Sequence, residues 1–301
     1  MTATTDTEAL ARQDHPGKPP RRRRRFRIAG RPGIAGYAYL VLVILIAIYP
    51  LWYAFTIASG DATTITKREL WIWPGENFFA NIASVLNNPA VDFWSALGNS
   101  VLVSTTVSFF VVVFSTLAGF AFARLNFKGR RVLLFFVIAT MAVPTQLGVV
   151  PLYIVMANLH LAGTVWAVII PALTSAFGVF WMTQYLEQTL PPELIEAARI
   201  DGASMIRVFW HVALPAARPA AVMLALFTFI LTWTNFFWPF IVLDKDSRTL
   251  PVALQALASN YFDDYSLIMS GVLLSVIPLL LLFVFAGRQL VAGIMAGAVK
   301  G

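Results

Sequence analysis

Residues 132–186 read VLLFFVIATMAVPTQLGVVPLYIVMANLHLAGTVWAVIIPALTSAFGVFWMTQYL, 55 positions without an Asp, Glu, Lys or Arg. A helix needs about 20 apolar residues to cross the hydrocarbon core of a bilayer. The stretch therefore holds two crossings, joined near Asn158–Gly163. Its apolar character is continuous, whereas a barrel strand alternates over roughly ten residues, so helix is the reading. Pro144 and Pro151 flank Thr145, Gln146 and Gly148 in the first of the two crossings. Proline removes a ladder hydrogen bond, so a kink is expected there, either structural or beside a translocation path.

Working outward, four more windows lack charge: between Arg31 and Asp61, then 93–123, 219–243 and 265–287. Each is long enough for one crossing. The expectation is an all-α polytopic membrane protein with six transmembrane helices. Composition agrees. Of 301 residues 58% are hydrophobic and 12% charged, against about 25% charged in soluble domains. A soluble chain of this length has too little interior for that apolar content. With no cysteine and three scattered histidines (His15, His160, His211), disulfides, thiol catalysis and a histidine-rich metal site are not expected.

Lysine and arginine set orientation. One side of the six-helix arrangement collects the N-terminal arm, the loops near Arg124–Arg131 and Arg199–Arg218, and the tail with Arg288 and Lys300. It carries 18 basic residues, and the other carries 4, Lys67, Arg68, Lys245 and Arg248. Both termini are expected in the cytoplasm. The net charge of +7 then reads as an orientation signal beside anionic lipid, with no nucleic-acid partner. The run Arg21–Arg25 falls in a basic, disordered cytoplasmic arm, residues 1–31, ahead of a membrane domain, residues 32–301. The stretch after the arm is too long for a signal-peptide core, so the arm is expected to be retained.

The windows hold no ionisable carboxylate or cation. Ion-coupled carriers place such groups at membrane depth, so a secondary transporter is disfavoured, and so is an internal catalytic site. The polar groups that remain are neutral, Gln146, Thr234 and Asn235 among them, with Trp233, Phe236, Phe237 and Trp238 close in sequence. Neutral hydrogen-bonding groups beside aromatic rings suit an uncharged sugar. Gln146, Trp233, Thr234, Asn235 and Phe237 are therefore candidates for a substrate path. Helix-packing glue and an interfacial aromatic belt use the same residues, and both readings stay open.

Residues 187–218 form a connection far longer than the about 2–8 residues usual between helices. Pro192 and Glu193 suit a first helical turn. Asp201–Gly202 breaks that helix, and Ser204 caps a second one through Val212, which Leu214–Pro215 is expected to end. Met205, Ile206, Phe209 and Trp210 make the second helix apolar, which points to burial in a partner's groove.

In this segment Glu196-Ala197-Ala198, three residues, Gly202, nine residues, Val212, one residue and Leu214-Pro215 resemble the EAA signature of binding-protein-dependent ABC transporter permeases, with Val212 where the family has isoleucine. Asn99-Ser100, Phe120 to Arg124 with Phe127 and Gly129, Trp233 to Pro239, Arg248 to Val252 and the tail Ala296–Gly301 resemble the sugar branch, in its MalG-like form. The family often reads Trp-Asn before its aromatic-proline run, and here Thr234 stands between Trp233 and Asn235.

The resemblance implies a permease subunit paired with a second homologous permease, two ATPase subunits and an extracellular sugar-binding protein in a prokaryotic cytoplasmic membrane. It implies ATPase coupling through Glu196, Ala197, Ala198, Gly202, Leu214 and Pro215, and an ATPase-contacting tail with Gly297, Val299 and Lys300 at the end of a cytoplasmic stretch, 288–301. The chain has no G-x-x-x-x-G-K-[ST] loop, so ATP and Mg are expected on the partner ATPase and this subunit is not expected to be an enzyme. The sequence reading is an ATP-driven importer for a di- or oligosaccharide. A membrane scaffold or a facilitator channel that docks a cytosolic partner is the alternative.

Overall fold

The computed structural model describes residues 33–61, 73–260 and 264–298; the basic arm 1–31 lies outside them. Among the described residues no strand forms, and thirteen α-helices carry the chain. The first is α1, Ile34–Ala58. Residues 34–49 belong to a separate compact unit and are an almost wholly exposed apolar stretch. The second unit begins at Pro50. It holds the last turns of α1, the short α2 (Phe78–Leu86) and the 32-residue α3 (Phe93–Arg124), which at about 1.5 Å per residue is about 48 Å long.

Next come α4 (Arg130–Thr140) and α5 (Val149–Asn158). Together they make an apolar pair bent by 89°, with the length of one broken span or of a re-entrant loop. The break is sharper than the expected kink and has one cause instead of two. Pro144 lacks an N–H and biases Val143 away from helical backbone, so the chain turns there and re-enters through a 3₁₀ turn, Thr145–Gly148. Pro151 sits in the first turn of α5, where the missing N–H had no partner to lose. No residue of α4 is buried, and Met156 is the one buried residue of α5.

The following span is α6 (Trp166–Ala172) and α7 (Ala176–Thr189). Ser175 restarts it, its hydroxyl accepting the Gly178 N–H at 3.1 Å. Then come α8 (Pro192–Ile200), α9 (Met205–Val208) and α10 (Leu214–Trp233). The last three are α11 (Phe237–Val242), α12 (Leu250–Asn260) and α13 (Tyr265–Ala298). Among the described residues five helical stretches are long and apolar enough to cross a membrane, and the bent α4–α5 pair makes six.

The bundle packs around α3, which lies against α7 and α10. Small residues allow this. A Cβ on Gly119 would lie 2.6 Å from the Met182 Cβ, so only glycine lets α3 approach α7 there. Ser104, Ser108 and Ser115 are also buried along α3. In an apolar solvent, close packing of small residues replaces water-driven burial as the cohesive force. That same solvent leaves the exposed Val, Leu, Ile and Phe of α4 and α5 without penalty.

Candidate functional site

The connection between α7 and α10 is built by local chemistry first. Pro191 and Pro192 end α7, and Glu193 lies in the first turn of α8, beside the positive end of its dipole. At its far end the Ala203 N–H reaches the Ala198 carbonyl at 3.0 Å and the Gly202 N–H reaches Arg199 at 3.0 Å. This pair of bonds is a Schellman stop, which needs a left-handed residue. Gly202 supplies it at φ +78°. A Cβ there would meet nothing within 4 Å, so the requirement for glycine is one of backbone conformation rather than space. Ser204 then caps α9, its hydroxyl accepting from the Arg207 N–H at 3.4 Å.

The second short helix does not end at Leu214–Pro215 as expected. It passes through a π-helical turn, Phe209–Ala213, straight into α10. The Leu214 N–H bonds the Phe209 carbonyl, five residues back. The wider turn already shifts the hydrogen-bond register just ahead of Pro215, which stands in the first two positions of α10, so its missing N–H falls where the ladder is interrupted. Residues 205–233 are thus one continuous helical rod.

A second correction concerns which face is outward. Phe209, expected on the outer side, is buried with Ile195 and Val208 in the chain's own core, its ring centroid 5.6 Å from that of Phe120. The apolar surface left outside is Leu194 (50% exposed), Ile200 (87%), Ile206 (73%) and Trp210 (59%). Glu196 and Ala197 are exposed among them and Ala198 is half-buried. Among the described residues the Glu196 carboxylate forms no ion pair.

Both roots of this segment meet the end of α3. Arg124 donates from Nη2 to the carbonyls of Leu186 (2.9 Å) and Glu187 (2.8 Å). Arg130 pairs with the Glu187 carboxylate at 3.2 Å. Sequence reading singled out Phe120 to Arg124 as a pattern but gave Arg124 no task. The available signal was Pro191-Pro192, which deprives the carbonyls four residues upstream of their donors.

At the opposite end, α3 is tied to the 248–250 segment. The Asn99 amide donates to the Arg248 carbonyl at 3.1 Å, and the Ser100 hydroxyl accepts the Leu250 N–H at 2.7 Å. These two stretches, 150 positions apart, are patterns that the sequence presented separately. The Ser247 hydroxyl donates to the Gly163 carbonyl at 2.5 Å, and the Trp238 indole to the Ala167 carbonyl at 3.1 Å.

The candidate path residues divide. Trp233 is 3% exposed, stacked on Phe229, with its indole N–H donated to the Ser275 carbonyl at 3.1 Å; it is a core residue with no free edge. Phe237, Thr234 and Gln146 are exposed, and Asn235 is half-exposed. The Thr234 hydroxyl turns back to the Ile230 carbonyl at 2.8 Å, and Gln146 lies in the 3₁₀ turn of the broken span. Of the tail residues, Gly297 is in the last turn of α13, so the expected tail continues that helix through Ala298. Val299 and Lys300 lie outside the described residues. Among the described residues no cluster of His, Asp or Glu could hold a metal.

Comparison with known proteins adds three findings. Residues 111–295 match the family model described as binding-protein-dependent transport system inner membrane component. The chain is 31% identical to the arabinooligosaccharides transport system permease protein of Halalkalibacterium halodurans, over 88% of this chain and 95% of that protein. It is 30% identical to the lactose transport system permease protein of Rhizobium radiobacter, over 89% and 97%. A solved bacterial ABC transporter involved in the import of the acidic polysaccharide alginate shares the fold, with a TM-score of 0.71 over 85% of this chain and 95% of that one, at 24% identity.

Proposed function

The chain belongs to the family of binding-protein-dependent transport system inner membrane components, and from that premise we propose that it is the permease subunit of an ATP-driven importer for a di- or oligosaccharide. The substrate class is supported by the names of its relatives and by spans whose polar groups are neutral. Its partners are a second permease, two ATPase subunits and an extracellular binding protein. ATP and Mg bind to the ATPase, and this chain has no nucleotide site of its own.

The observation that carries the reading is the 190–213 segment. Its backbone is locked by the Gly202 stop, its inner face is packed on the core, and Leu194, Ile200, Ile206 and Trp210 face outward around Glu196. A surface of that kind is a docking site for a partner, and its continuity with α10 makes it a lever. Closure of the ATPase displaces Glu196, Ala197, Ala198 and Gly202. Leu214 and Pro215, in the first turn of α10, pass the displacement into the bundle. The tail with Gly297, Val299 and Lys300 makes a second ATPase contact.

The excess of basic residues on one side supports a cytoplasmic position for both termini and Glu196. Of the path residues, Gln146, Thr234, Asn235 and Phe237 keep surface to offer a sugar.

The test is the complete complex in proteoliposomes, with lactose and arabinotriose as probes. Sugar-loaded binding protein is expected to stimulate ATP hydrolysis, and uptake to survive an uncoupler at constant ATP. Uptake that collapses with the proton gradient while ATP is held constant overturns the reading. Uptake without ATP favours a facilitator channel. Labelling of a cysteine at position 196 from outside intact cells overturns the orientation.

A further inference from the structure

Pro191 and Pro192 start the coupling loop, and neither has an N–H to give. The carbonyls of Glu187 and Gln188 therefore lose the donors that a continuing helix would supply. They lie at the negative end of the α7 dipole, where a cation is favoured. Arg124, the last residue of α3, supplies the missing donor to the Glu187 carbonyl and also donates to that of Leu186, which already accepts the Leu190 N–H. Arg130 holds the same residue through its carboxylate. One turn back on α3, Phe120 packs on Phe209 in the π-helical turn where the loop re-enters the bundle. The end of α3 thus grips the loop at its entry and at its exit.

We infer that Arg124 is a positioning residue: it roots the coupling loop on α3, so that displacement of the loop moves α3 and, through Asn99 and Ser100 at the other end, the 248–250 segment. The inference rests on the reading of the chain as an ABC permease. A guanidinium suits the task because two donors of one rigid plane reach two successive carbonyls. Lysine carries its three donors on a compact ammonium at the end of a flexible stem and holds no fixed plane against the two carbonyls. Without the clamp the loop still docks, because its outward face is untouched, but its motion is spent in bending at Gln188–Pro191.

The test uses the complete complex in lipid nanodiscs, with ATP and orthovanadate as the probe and amide hydrogen exchange as the readout. In the parent complex, nucleotide trapping is expected to change exchange in residues 93–100 and 244–250. In Arg124→Gln the ATPase is expected to co-purify and trap nucleotide as before, while the change in those segments falls roughly ten-fold, the factor set by one lost charge-assisted bond. A folding defect lowers trapping and response together, whereas the proposal requires loss of the second alone. A parental response in Arg124→Gln overturns the inference. Absence of any response in the parent, with nucleotide trapped, overturns the inference as well, whereas a parent complex that traps nucleotide but takes up sugar without ATP overturns the importer reading instead. Where Arg124→Gln does not assemble, Arg124→Met is measured, which keeps an apolar stem of similar length and removes both donated bonds; a parental response there also overturns the inference.

Discussion

At Pro144 a helix stops and the chain turns by 89°; at Pro215 a helix runs on through 205–233 without a stop. The two prolines carry the same chemistry in different registers. Pro144 follows a helix whose last turn has no packing to hold it, since α4 buries nothing. Pro215 follows a π-helical turn whose Phe209 and Ala213 are buried, so tertiary contacts keep the rod straight past the missing donor. The broken span packs on the core through Met156 and leaves most of its other apolar side chains outside, suited to lipid. The coupling loop presents one outward face on a body fixed to the core. A break where nothing is buried turns the chain, and a break beside buried side chains lets the helix run on.

The largest expected effect separates conformation from space at the lever. Gly202 has φ +78° and open surroundings, so Gly202→Val is opposed by backbone strain of about 1–3 kcal/mol. It is expected to abolish uptake and ATPase co-purification while membrane insertion persists. Gly202→Asn, which tolerates left-handed backbone, is expected to retain much of both. Full uptake by Gly202→Val, or equal damage by both variants, sinks the lever assignment.

A smaller loss is expected from Glu196→Ala. The carboxylate is exposed here and becomes a contact only on docking, where one charge-assisted bond is worth about 1.5–3 kcal/mol. ATPase retention during purification is expected to weaken, and uptake to fall without vanishing. Unchanged retention removes Glu196 from the docking face.

The broken span gives the next contrast. Pro144→Ala restores an N–H and frees Val143 to be helical, a gain for a straight helix of about 3 kcal/mol. A cysteine at position 146 in this cysteine-free chain is expected to change its labelling rate in that background. Pro151→Ala is expected to leave the rate as it was. Equal responses contradict the assignment of the bend to Pro144 alone.

The smallest effect concerns Trp233 and Phe237. Trp233→Phe removes the indole donation to Ser275, costing about 1 kcal/mol of stability, and is expected to lower the thermal midpoint with sugar uptake KM unchanged. Phe237→Ala is expected to do the reverse. A larger KM change in Trp233→Phe returns that residue to the substrate path.

The apolar crossings and their helical nature were legible because a bilayer excludes charge and the exclusion is written in composition, whereas the connection expected over 187–218 is shorter, since α7 runs to Thr189 and the next span begins at Met205. Gly202 and Ser204 were legible because a helix stop and an N-cap depend on chain neighbours alone. The inward turn of Phe209 was not, since an apolar residue at that spacing fits a partner's groove and the chain's own core equally well. Trp233 was ambiguous for the same reason: an aromatic ring beside polar groups has the same sequence context in a core as in a path.

The sequence by itself determined which segments enter the membrane and where the backbone must stop, because those outcomes depend on residue type and on spacing within a turn or two. Only the tertiary structure decided that Pro215 continues a helix, that Phe209 faces inward and that Arg124 closes the end of α7. Each of those depends on a contact across the bundle, 62 positions in the case of Arg124 and Leu186, and the physical cause is a packed neighbour that no local pattern encodes.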